Sequence, residues 1–161
     1  MDRALKSRAP RRHGTYGIRE ARPDDLDALL AVEDVFPTDR LGRRNFRHAV
    51  RSATTDLIVA EDEAGAAGYA LVQRRRNSKV AHLSSIAVGP GAAGRGLGRA
   101  LLEAAEARAR ANGCTRLRLE VRTDNGPAQK LYGRAGYRRL ETVPDYYEDG
   151  AAAWRYEKDL V

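Results

Sequence analysis

The chain has 161 residues, 42% of them hydrophobic and 32% charged, with a formal charge of +7. That size and balance predict one globular domain with its own core, and they exclude a disordered chain or a mini-protein that needs staples. The lone Cys114 excludes an internal disulfide, and no Cys/His cluster has zinc-site spacing. No metal is therefore expected, and a reducing cytoplasm is the expected compartment. No apolar run approaches the ~18 residues of a transmembrane helix, so membrane insertion is not expected. The positive charge is compatible with nucleic acid, because phosphate neutralisation dominates such binding. The basic residues, however, are nearly all Arg in an Ala-rich chain, the pattern of a GC-rich coding bias rather than of a functional patch.

Residues 1–14 carry Arg3, Lys6, Arg8, Arg11 and Arg12 with Pro10 and Gly14, and read as a flexible basic tail ahead of a domain over 15–161. Tyr16 to Glu20 is a predicted strand. Pro23-Asp24-Asp25 then opens a helix with Leu26, Leu29, Leu30 and Glu33 at helical spacing. Pro37 ends that helix, and Arg43 to Arg51 is predicted as a second one carrying Phe46 and Val50 inward. Asp56–Glu61, Ala67–Arg75 and Val80–Val88 read as strands joined by turns at Glu63-Ala64-Gly65 and Arg76-Asn77-Ser78, an antiparallel meander.

A glycine-dense loop, residues 89–98, runs directly into a helix over Leu97–Ala111. Its expected inner stripe is Leu97, Leu101, Ala104 and Ala105, with Arg99, Glu103, Glu106 and Arg110 on the solvated face and Asn112-Gly113 as the cap. Leu117 to Val121 alternates as a strand, with Arg116, Arg118, Glu120 and Arg122 on the face opposite Leu117, Leu119 and Val121. A short helix from about Pro127 to Ala135 follows, with Asn125 as N-cap and Gly136 just past its end. Tyr137–Val143 and Trp154–Leu160 close the chain as strands. The order predicts an α/β (α+β) domain, a mixed sheet of about seven strands with about four helices on both faces.

The strand–loop–helix at 86–102 presents unpaired backbone N–H groups and the positive end of a helix dipole, the arrangement that binds phosphate. Glycines at 94, 96 and 98 would let a pyrophosphate approach the backbone. No Gly-Lys-Ser/Thr follows, so the loop is not a Walker loop. Its mid-chain place after a meander, with no acidic residue ending the next strand, is not that of a dinucleotide fingerprint.

Ile86-Ala87-Val88, the loop, and Arg95-Gly96-Leu97-Gly98-Arg99-Ala100-Leu101-Leu102 resemble the acetyl-CoA motif of the GNAT acetyltransferases. Ala93 stands where that motif usually has Gln or Arg. The resemblance implies a GNAT fold with a mostly antiparallel sheet, and acetyl-CoA as cofactor with coenzyme A as product. The backbone of Ile86, Ala87 and Val88 would pair with the pantetheine arm. Gly94, Arg95, Gly96, Leu97, Gly98 and Arg99 would cradle the phosphates.

Acyl transfer from a thioester to an amine needs a proton acceptor for the ammonium and a proton donor for the departing thiolate. From the strand alone, Glu120 is equally a base or a structural carboxylate paired to Arg118, Arg122 or a residue across the sheet, and nearby arginines would lower its pKa. From the helix alone, ordinary packing beside Leu131 and Ala135 is favoured for Tyr132 over a proton-donor role, because aromatics at helical spacing are usually core. Leu119-Glu120-Val121-Arg122, Asn125, Ala128, Leu131-Tyr132 and Gly136-Tyr137 resemble the ribosomal-protein-alanine N-acetyltransferase branch of the family. That likeness implies Glu120 as base, Asn125 as a cofactor contact and Tyr132 as acid. The branch also carries a paired tyrosine before the last strand, matched by Tyr146-Tyr147. That pair equally reads as part of an acceptor site or as an acidic turn with two half-buried tyrosines. GNAT enzymes commonly shape the acceptor pocket in the loop that here holds Phe36, residues 36–40. Where relatives commonly carry an acidic residue before the last strand, this chain has Ala151-Ala152-Ala153.

His13, His48 and His82 have no partner at catalytic or ligand spacing and read as surface or structural residues. Ser84 and Ser85 have no identifiable base, so direct transfer is expected rather than an acyl-enzyme. Three functions remain in view: acetylation of a protein or peptide amine, acetylation of a small-molecule amine such as a polyamine or aminoglycoside, and a non-catalytic acyl-CoA or nucleic-acid module. The sequence leaves monomer and homodimer both open.

Overall fold

The computed structural model describes residues 16–92, 94 and 96–161, so the expected basic tail and the expected phosphate contact at Arg95 lie outside the described residues. Seven strands form one sheet: β1 (Gly17–Glu20), β2 (Thr55–Asp62), β3 (Gly65–Arg74), β4 (Val80–Val88), β5 (Arg116–Arg122), β6 (Arg138–Val143) and β7 (Ala153–Asp159). Their spatial order is β1-β2-β3-β4-β5-β7-β6. Every pairing is antiparallel except β4 with β5, where a helical crossover joins parallel neighbours. The helices are α1 (Leu26–Val32), α2 (Arg43–Arg51), α3 (Leu97–Ala111) and α4 (Gly126–Arg134), with one-turn helical segments flanking α1. No helix among the described residues is long and apolar enough to cross a membrane.

Two cores cover the two faces. α3 and α4 bury Leu97, Leu101, Leu102 and Tyr132 against Ile58, Val72, Leu83 and Leu119. On the other face α1 and α2 bury Leu29 and Phe46 against Leu57, Val59 and Tyr69. Phe46 turns inward as its spacing predicts, but its buried neighbour on α2 is Ala49, and Val50 is only half-buried at the rim.

The expected solvated face of α3 needs one correction. Glu106 is 5% exposed, because the closing strands fold over that side of the helix. Its carboxylate accepts hydrogen bonds from Tyr137 Oη at 2.8 Å and Lys158 Nζ at 3.1 Å. A buried charge persists only when paired in this way.

A bulge in β4 sets up the site. Leu71 faces Ser85 while Val72 faces Leu83, leaving Ser84 as an extra residue. Ala81 and Leu83 therefore belong to the α3/α4 core, whereas beyond the bulge it is Ala87 that faces the α1/α2 core. The same stretch requires Gly68 opposite it: a Cβ there would sit 2.8 Å from the Ala87 carbonyl oxygen and 3.3 Å from both Val88 Cα and Leu101 Cδ1. Gly68→Ala is accordingly expected to lower stability by about 1–3 kcal/mol, the usual cost of overpacking, measured as a reduced urea midpoint. Gly17→Ala, whose Cβ meets nothing within 4 Å, should leave the midpoint nearly unchanged.

Candidate active site

β4 and β5 pair only through Val80–Arg116, Ala81–Leu117 and His82–Arg118. Beyond His82 the two strands diverge, so the edge of β4 from Leu83 to Val88 has no strand partner on its β5 side. A cavity of about 590 Å³ occupies this splay. It passes through the sheet, from Gly98, Ala128 and Leu131 on the α3/α4 side to the loop 35–39 and Tyr147 on the other.

Of the residues expected at a site, the cavity brings together Ile86, Ala87, Val88, Gly98, Glu120, Asn125, Tyr132, Phe36 and Tyr147. Gly94, Gly96, Leu97 and Arg99 do not line it. They lie around the start of α3, where Gly98 forms its end. Leu97 is 1% exposed and packed in the core, so only its backbone N–H is available, and the Arg99 side chain pairs instead with Glu103 at 3.2 Å. Gly94 and Gly96 have φ of 82° and 75°, and a Cβ at either would stand in open space. Their glycine requirement in the chain itself is therefore the left-handed backbone turn into the helix, with close approach to a ligand as a second use.

Asn125 caps α4, its Oδ1 accepting from the Ala128 N–H at 3.1 Å. That bond starts α4 and aims Tyr132 back at the splay. Tyr132 is 5% exposed and packs its ring against Tyr137 and Tyr156, at centroid distances of 5.7 and 6.3 Å. Burial first, and Tyr147 second, hold its phenol well above the ordinary tyrosine pKa, so it stays protonated at the wall of the cavity.

Glu120 is held from three directions. His82 Nε2 donates to its Oε1 at 2.6 Å, Arg155 Nε donates to its Oε2 at 2.8 Å, and Tyr146 Oη donates to its Oε1 at 3.1 Å. The cross-sheet alternative foreseen for this carboxylate is thus realised through Arg155, its register partner on β7. Arg118 and Arg122 turn instead to Glu157 and Asp149. Burial alone would raise the Glu120 pKa, but the hydrogen bonds from His82, Arg155 and Tyr146 outweigh it and bring it to about 2.

Because the folded-state pKa lies below the ordinary carboxylate value, this group stabilises the fold above about pH 5, and that stability is lost as pH falls toward about 2. Its size is on the order of 3 kcal/mol. The stability gap between wild type and Glu120→Gln, measured by urea unfolding at stepped pH, is expected to stay level down to about pH 5 and to narrow from there to about pH 3.

The expectation that His82 lacks a partner is corrected by its bond to Glu120. The two lie 38 residues apart in sequence, and only the parallel pairing of β4 with β5 brings them together. Arg155 was missed for the same reason. The local signal was that His82 stands on the strand that leads into Ile86–Val88, the stretch expected at the cofactor. Ser84 Oγ donates to Gln73 Oε1 at 2.5 Å and lies 3.5 Å from His82 Nδ1. Ser85 joins a buried chain in which Tyr69 Oη donates to Glu33.

Tyr146 and Tyr147 separate in role, although their rings meet edge-on at 4.9 Å. Tyr147 lines the cavity with Arg122 stacked 4.9 Å from its centroid, whereas Tyr146 lies outside it and reaches Glu120 from the neighbouring groove. Over the mouth, two loops are tied together. The Asp39 N–H donates to Glu148 Oε1 at 2.8 Å, and the Glu148 N–H donates back to the Asp39 carboxylate at 3.2 Å.

A strand splay, a left-handed glycine turn into a helix, and a carboxylate and a phenol thus meet around one cavity. Residues 20–137 match the family model described as acetyltransferase (GNAT) family. The chain belongs to the GNAT acetyltransferase family. As a GNAT protein it is an acyltransferase, and the family uses acetyl-CoA.

An N-alpha-acetyltransferase of Sulfurisphaera tokodaii is 29% identical over 150 residues, covering 86% of this chain and 90% of its own length. A streptothricin acetyltransferase of Streptomyces lavendulae is 29% identical over 157 residues, covering 78% and 83%. Among solved structures, the ribosomal-protein-S18-alanine N-acetyltransferase of Escherichia coli superposes with a TM-score of 0.79 at 26% identity, covering 90% of this GNAT chain and 94% of its own.

Proposed function

We propose that this GNAT protein transfers the acetyl group of acetyl-CoA to the N-terminal amine of a protein or peptide, by direct attack within a ternary complex. The observation that carries the reading is the cavity through the β4/β5 splay, which has Tyr132 on one wall and Glu120 on another. The unpaired edge of β4 at Ile86–Val88 offers backbone groups to an extended amide-bearing arm, and the start of α3 offers its free N–H groups to phosphates. Acetyl-CoA supplies an activated acyl thioester. Phe36 and Tyr147 border the acceptor end of the cavity, beside Glu120.

Glu120 remains ionised throughout the working pH range, which makes it a weak direct base for an ammonium. It draws the proton away through water, with its charge favouring the ammonium's approach. Tyr132 gives its proton to the departing thiolate. The Asp39–Glu148 tie joins the loop 35–39 to the segment that carries Tyr147 beside the cavity. The relationship to the N-alpha-acetyltransferase and to the ribosomal-protein-alanine enzyme supports the same acceptor.

A small-molecule amine is the second reading, favoured by the streptothricin acetyltransferase relative. Coenzyme A release measured against N-terminal peptides, lysine peptides, polyamines and aminoglycosides separates the two. Turnover on free N-terminal peptides, abolished by blocking the terminus, is expected. Turnover confined to small amines would replace the reading by the second.

A further inference from the structure

We infer that the acceptor is a polypeptide whose residues following the N-terminal amine are acidic, an inference that rests on the acceptor reading above. A second groove, of about 710 Å³, opens on the α2 side of the sheet and meets the first cavity at Glu120. Its inner end is Glu120, Tyr146 and Arg155, and its outer walls are α2 through His48 and Ser52 and the β3–β4 turn through Arg75 and Ser78. Arg44 and Arg51 stand one turn to either side of His48 on α2, and Arg76 and Lys79 belong to the same turn as Arg75.

Arg44, Arg51, Arg75, Arg76 and Lys79 are all exposed, and none has a carboxylate partner among the described residues. Glu120, the carboxylate that lines the groove, is already engaged, and so are the carboxylates paired with its lining arginines Arg74 and Arg118. Asp56 is held by Arg74 and Arg108, Glu157 by Arg118, and Glu120 by His82 and Arg155.

The groove therefore carries its unneutralised charge at the rim, while Glu120 at its inner end is already shared by His82, Arg155 and Tyr146. A ligand with an anionic body fits that rim, and a peptide whose N-terminal amine is followed by Asp or Glu places the amine where the groove meets the first cavity at Glu120. Nucleic acid fits it less well. A polyphosphate lying in the recess would carry its charge toward Glu120 as well as toward the rim, and it has no amine to present there.

The test compares kcat/KM for peptides that share the first residue and carry Glu, Ser or Lys at the next four positions. At low ionic strength the Glu peptide is expected to exceed the Ser peptide by about tenfold, the sum of several exposed charge pairs, with the Lys peptide lowest. Salt at about 0.5 M should close the gap. In the Arg51→Glu/Arg75→Glu variant, with folding checked by circular dichroism and acetyl-CoA binding by calorimetry, the order of the Glu and Lys peptides is expected to reverse.

Equal kcat/KM for all three peptides in the wild type overturns the inference while leaving peptide acetylation standing. No turnover on any peptide, with acetyl-CoA still bound, overturns the acceptor reading and this inference together. Binding of an RNA homopolymer that Glu peptides do not displace, together with no Glu preference, assigns the basic rim to nucleic acid instead.

Discussion

Tyr132→Phe is expected to lower kcat by about 10²- to 10³-fold with little change in the KM for acetyl-CoA, the pattern of a lost transition-state proton donor. The substitution suits the question because Tyr132 is 5% exposed, and its ring contacts with Tyr137 and Tyr156 do not involve the hydroxyl. Phenylalanine keeps the packed volume, so the melting temperature should move by no more than a few degrees. Steady-state coenzyme A release supplies the kinetic readout and a thermal melt the structural one. The raised phenol pKa carries a further expectation: no alkaline limb from Tyr132 should appear below about pH 10 in the wild type. An unchanged kcat would remove Tyr132 from the chemistry and leave it as core packing.

Glu120→Gln is expected to lower kcat/KM by about 10- to 100-fold through loss of the charge that attracts and deprotonates the acceptor. The accompanying pH behaviour is the sharper test. With its pKa near 2, Glu120 is ionised at every practical assay pH, so the acid limb of the wild-type kcat/KM profile cannot be its titration. The limb should instead track the acceptor amine, moving to lower pH when an N-terminal peptide of pKa about 8 replaces a lysine-like amine of about 10. A profile whose acid limb stays fixed across acceptors and vanishes in Glu120→Gln would assign direct base catalysis to this carboxylate. It would also require His82 or Arg155 to release the carboxylate in the loaded enzyme.

The contrast between these two residues shows how local and distant information divide in this chain. Tyr132 was placed by sequence-near events. Asn125 caps α4 three residues before its bonded N–H at Ala128, helical spacing carries Tyr132 to the inner side, and Gly136, at φ 94°, ends the turn. The glycine turn at Gly96, the alternation of β5 and the meander over β2–β4 are of the same kind. Each depends on chirality, pleat or helical period within a few residues, which the order of side chains determines by itself.

The surroundings of Glu120 are of the other kind. Its three partners lie 38, 35 and 26 residues away, brought together because β4 pairs with β5 in parallel and β7 inserts between β5 and β6. The burial of Glu106 beneath Tyr137 and Lys158, the bulge at Ser84 and the Asp39–Glu148 tie across 109 residues likewise depend on which strands and loops become neighbours. The sequence by itself determined the glycine motif and the element order, and its likeness to the family singled out Tyr132 and Glu120. Only the tertiary structure decided that this carboxylate is clamped and ionised, because its pKa follows from through-space hydrogen bonds that strand pairing, and not residue spacing, creates.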